Sequence, residues 1–90
     1  MQKITQEQFD RIENLYESAL SALTKKEAKK YIDQIEFVAT GLEGYANILL
    51  HELINSLRAA CGRVPDREIK KSHCNTCLYK LEGQIERKPE

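Results

Sequence analysis

The chain has no tryptophan, one methionine, two prolines and four glycines among its 90 residues. So few helix breakers exclude a proline- or glycine-rich disordered or fibrous chain and leave long stretches free to form regular structure. Net charge is also missing, because 14 Lys+Arg balance 14 Asp+Glu. A general electrostatic grip on nucleic acid or anionic lipid needs a surplus of cations, which this composition withholds. No long apolar run is present. The best one, Ile48-Leu49-Leu50, stops at His51-Glu52, far short of the roughly 18–20 residues that span a bilayer. The first eight residues lack the apolar stretch of a secretory leader. Three cysteines are an odd count, which argues against a fully paired extracellular framework. A cytoplasmic protein with no membrane partner is therefore expected.

A chain this short buries about 60–65% of its unfolded surface. That is enough for one thin core, so residues 1–90 are expected to form a single helical domain.

What is present is helical periodicity. Thr5 and Gln8 match a capping box, and Ile4 and Phe9 occupy the two positions of a hydrophobic staple around it. Phe9, Ile12, Leu15, Tyr16, Ala19 and Leu23 then recur in steps of three and four, which predicts a helix over Gln6–Leu23. Thr24 with Glu27 repeats the capping signal directly afterwards, so the next helix follows a very short connection and packs antiparallel. Its stripe runs through Ala28, Ile32, Ile35, Ala39, Leu42, Ala46, Leu49, Leu53 and Leu57. Gly41 and Gly44 interrupt it, each at a cost of about 1 kcal/mol in a helix interior.

Two architectures follow. In one, residues 41–44 form a turn and the chain closes into a bundle of four similar helices. In the other, one helix runs from Lys25 to about Ala60 with a kink at Gly41/Gly44. The stripe keeps its phase through the glycines, and no Ser, Asp or Asn cap directly follows Gly44. The expectation is therefore an all-α, small helical bundle with a long central helix and a shorter C-terminal helical segment. For that segment the pattern predicts a short helix at Pro65–Lys71, a break near Ser72–Asn75 and a last helix to about Arg87. Met1–Leu23 carries four acids against two bases, and Arg63–Glu90 seven bases against five acids. That mild charge asymmetry suits antiparallel packing.

On a helical wheel the apolar residues of Tyr45–Cys61 spread over about 240°, whereas a surface helix needs a stripe of only about 100°. The first helix and the C-terminal segment can each cover part of this arc, and the excess predicts a second copy of the chain as the third cover, with Tyr45, Ile48, Leu50, Ile54 and Leu57 as contact residues of a homodimer.

One constellation could carry chemistry. Cys74 and Cys77 are spaced like a zinc knuckle, with Cys61 and His73 as further candidate ligands. Adjacent side chains diverge, so His73 beside Cys74 is an awkward ligand, and a second Cys-x-x-Cys pair is absent. The expectation is no metal and no other cofactor, with the thiols serving as small core residues. A thioredoxin-like redox role for Cys74/Cys77 would need a preceding strand, which the pattern lacks. His51-Glu52-Leu53-Ile54-Asn55 opens like a zinc-protease helix, but Asn55 stands where the second histidine must be. The basic residues Arg63, Arg67, Lys70 and Lys71 could touch phosphates, although Asp66 and Glu68 dilute them. The functional expectation is a non-enzymatic protein–protein interaction module: a small inhibitor, adaptor or regulator of another complex. A nucleic-acid-binding regulator using residues 63–71, braced by zinc, is the alternative. A thiol-dependent protein is the third reading.

Overall fold

The computed structural model describes residues 4–62 and 64–85 and contains four helices: α1 (Gln6–Ser21), α2 (Lys25–Ala39), α3 (Gly44–Ala60) and α4 (Arg67–Glu82). Buried residues from all four meet in one core, so the chain is a small all-α bundle. No helix among the described residues is long and apolar enough to cross a membrane.

The first helix begins where the sequence places it. The Thr5 hydroxyl accepts the Gln8 N–H at 3.0 Å, and the Gln8 side chain accepts the Thr5 N–H at 2.9 Å. Two of the helix's free donors are thereby satisfied. Thr24 accepts the Glu27 N–H at 3.1 Å and starts α2 in the same way. Helix α1 ends at Ser21, two residues earlier than expected, which leaves Leu23 outside the helix and 83% exposed.

The long central helix is not formed. Thr40, Gly41 and Leu42 each donate to a carbonyl three residues back, Glu43 is extended, and Gly44 has φ 67°. A right-handed helix cannot continue through that left-handed residue, and glycine is the side chain that adopts it without steric cost. The apolar stripe keeps its phase because Leu42 lies in the turn and still buries its side chain, as Ala39 and Ala46 do on either side. The four-helix alternative is the correct one.

Two side chains weld this junction. The Asn47 carboxamide donates to the Ala39 carbonyl at 3.0 Å and to the Leu42 carbonyl at 3.1 Å. It thus gives the Ala39 carbonyl, which already accepts the Leu42 N–H, a second donor, and supplies one to the Leu42 carbonyl, from the first turns of α3. Arg58 pairs with Glu36 between the same two helices.

The C-terminal segment is also corrected. There is no break near Ser72–Asn75; α4 runs unbroken from Arg67 to Glu82. Ile69 lies off the inward face of α4 and is exposed, while Cys74 and Leu81 fill the core.

The two ends of the bundle differ. At one end Gly62, with φ 80°, lies against Lys25, bringing the α3–α4 connection onto the start of α2. At the other, the 40–43 turn sits with the chain ends of the bundle, where Ile4 bridges Ile85 and donates to the Gln84 carbonyl at 3.2 Å. Leu49, Leu50, Leu53, Ile54 and Leu57 are all buried between these ends. Apart from Tyr45 and Ile48, the large apolar side chains of α3 are therefore covered within one chain. Among the described residues no buried side-chain nitrogen or oxygen lacks a hydrogen-bond partner.

Candidate functional site

A concavity of about 880 Å³ opens between the C-terminal half of α1 and the N-terminal half of α4. Its base is a buried phenol. Tyr16 belongs to the core stripe of α1, and its hydroxyl donates to the Asn75 carboxamide oxygen on α4 at 2.6 Å. Arg67 and Lys71 line the same wall of α4, two turns and one turn before Asn75 respectively. Leu20, Ala22 and Leu23 form the facing apolar side, and Glu17 lies at the Tyr16 end.

Arg67 was expected to be a phosphate contact, and the structure also gives it an internal role. Its Nη2 donates to the Leu20 carbonyl at 2.6 Å. Helix α1 has no basic residue in its own last turn, so a cation from α4 supplies the favourable charge at its negative end. Lys70 and Lys71 are half-buried. Arg63 lies outside the described residues.

The three cysteines sit behind this wall. Cys74 is buried in the face of α4, and Cys61, the C-cap of α3, is buried with its Sγ 3.5 Å from the Ala19 carbonyl. Cys77 is half-buried with its Sγ 3.9 Å from the Ser56 hydroxyl. Burial pushes the Cys74 thiol up to about 11, with Cys77 and Cys61 adding to the rise. Burial also raises Cys61, against the opposing pull of Arg67 and Lys25. Tyr16 is pushed up to about 12, first by burial and then by the neighbouring thiols and Glu17. At neutral pH Cys61 and Cys74 are therefore protonated thiols, the unreactive form. His73 is exposed. Among the described residues no group of three or more His, Cys, Asp or Glu side chains could hold a metal ion.

The expected interaction residues divide into two sets. Leu50, Ile54 and Leu57 are buried in the chain's own core and cannot meet a partner without unfolding. Tyr45 and Ile48 are 57% and 55% exposed on the outer face of α3. Phe37, 74% exposed, stands two residues before Ala39, the residue tied to Asn47. Tyr45 and Ile48 therefore share the outer face of α3 beside the 40–43 turn, at the other end of the bundle from the cleft, whereas Phe37 lines a separate groove with Glu7, Gln8 and Arg11 of α1.

Sequence reasoning missed Asn75, Asn47 and Phe37. Asn75 fell in an expected break, and Asn47 and Phe37 both lay off the apolar stripe. An off-stripe aromatic beside a turn is a signal that could have found Phe37. Comparison of the chain with protein-family models, characterised proteins and solved structures returns no match.

Proposed function

We propose that this chain is a non-enzymatic protein-interaction module, an all-α domain that adapts, inhibits or regulates another macromolecule from a cytoplasmic location. The observation that carries the reading is the pair Tyr45 and Ile48, both more than half exposed on one face of α3. Single exposed apolar residues are ordinary on protein surfaces. Two large ones on one helix face are less so, and aromatic side chains are the type enriched in the desolvated centre of interfaces. Tyr45 and Ile48 are three residues apart and share one face of α3. Asn47, between them in sequence, is bonded to the end of α2, so the surface is held in place before any partner arrives. Preorganisation of this kind lowers the entropic cost of binding.

A second copy of the chain is the first partner to test. Light scattering at micromolar concentration is expected to give a mass above the 10.4 kDa of one chain. The double substitution Tyr45→Asp/Ile48→Asp is expected to restore the monomer mass while leaving the helical circular-dichroism signal unchanged. A wild-type protein that stays monomeric and yields no crosslink from a photoreactive group at position 45 in host extract would sink the reading. Salt-dependent DNA binding, reduced by Lys70→Gln, would instead favour the nucleic-acid reading.

A further inference from the structure

We propose that the α1–α4 cleft binds a small organic monocarboxylate with an apolar tail, its carboxylate held by Arg67 and Lys71 and its tail laid along Leu20 and Leu23. The volume, about 880 Å³, lies within the range of small-molecule sites, roughly 300–1,000 Å³. Position and chemistry then narrow the ligand.

Arg67, Lys71 and Asn75 follow one another at intervals of four on α4, so all three line the cleft as a single row. Each carries N–H donors. Two neighbouring cations in such a row repel one another, and among the described residues neither lies within ion-pair distance of a carboxylate. An anion placed between them relieves that repulsion. Arg67 is also held still, because its Nη2 is bonded to the Leu20 carbonyl. The remaining N–H groups of the planar guanidinium are presented in a fixed orientation, which suits a carboxylate.

The opposite wall supplies the rest of the specificity. Leu23 is 83% exposed beyond the end of α1, and an apolar tail would cover it together with Leu20. Glu17 stands at the Tyr16 end of the cleft, away from Leu23. A second carboxylate at the end of the tail would instead sit on Leu23 and forfeit that apolar cover, so a monoanion fits and a dianion does not. The site faces away from the Tyr45–Ile48 surface, so it goes beyond the interaction role and can fail independently of it.

The test uses octanoate as the probe on the full, isotopically labelled chain, with amide chemical shifts as the readout. Saturable shifts are expected at Ala22, Leu23, Gly62, Lys71 and Asn75. Because hydrogen bonds to charged groups are among the stronger ones, Lys71→Gln is expected to weaken binding about tenfold or more. Octanol, which keeps the tail and loses the charge, should bind less tightly, as should octanedioate. Leu23→Gln, at an exposed position, should weaken octanoate without altering the fold. The proposal is overturned if octanoate shifts no cleft amide, if wild type and Lys71→Gln bind it alike, or if octanol or octanedioate binds as tightly.

Discussion

Gly44 and Gly62 both have positive φ, at 67° and 80°, but their surroundings differ. A Cβ added at Gly44 would meet nothing within 4 Å, whereas one at Gly62 would stand 2.8 Å from Cγ of Lys25 and 3.4 Å from its backbone nitrogen. Gly44→Ala therefore isolates the conformational cost. The left-handed region costs an L-residue about 1–2 kcal/mol, offset by about 0.4–1 kcal/mol from the less flexible unfolded chain, for a net loss of about 1 kcal/mol. Gly62→Ala adds the displacement of Lys25 from its preferred rotamer, about 0.5–1.5 kcal/mol, for a total of about 2 kcal/mol. For a domain of this size each kcal/mol moves the melting temperature by about 4–8 °C. Urea denaturation followed by circular dichroism measures both losses, with an unchanged slope showing that the surface exposed on unfolding is the same in each variant. Lys25→Ala removes Cγ, so in that background the gap between the two variants should narrow. If Gly62→Ala costs no more than Gly44→Ala, or if the gap persists without the Lys25 side chain, the reasoning about close approach is wrong.

Three other outcomes are expected. Asn47→Ala should destabilise by about 1–2 kcal/mol, because the Leu42 carbonyl loses its side-chain donor while the Ala39 carbonyl keeps only the Leu42 N–H; Asn47→Asp should fare no better, since a carboxylate accepts and cannot donate, and chemical denaturation reads both. Leu50→Asp should abolish the cooperative unfolding transition, because it buries a charge in the core, while Ile48→Asp should leave it within about 0.5 kcal/mol of wild type. Tyr16 and Cys74 hold their protons more tightly in the folded state than in the unfolded one. Their contribution to stability is complete below their ordinary values of 10.0 and 9.0 and is lost as pH rises towards about 12 and 11. The urea midpoint should fall across that alkaline window, and less steeply in Tyr16→Phe and Cys74→Ala; a midpoint that stays level from pH 8 to about 11 would contradict the assignment.

The helical class and the two threonine caps were legible because they are local: a hydroxyl three residues before its N–H donor leaves a mark in the sequence. The end of α2 was not, because its carbonyl partner is Asn47, a side chain eight residues further on, and because Leu42 points inward from the turn as a helical residue would. The same holds for α1, whose last carbonyls find Arg67, 47 positions away from Leu20. Leu50, Ile54 and Leu57 were misassigned to a partner because a wheel gives the width of an apolar arc without saying which helices cover it. Of the cleft, only Arg67 and Lys71 were legible, as members of a basic cluster. The row they form with Asn75 depended on α4 being unbroken.

The contact of Ile4 with Ile85 and Gln84 has a consequence for connectivity. The path through the bundle enters and leaves at one point, beside the 40–43 turn. Covalent order and spatial order are therefore separable here: the described ends can be joined by a few residues and the chain reopened at the turn, with every helix keeping its neighbours. Such a permutant would begin with α3–α4 and finish with α1–α2. The same adjacency lets the whole body be set into a loop of another protein as a cassette, occupying little more room at its base than the hairpin it replaces.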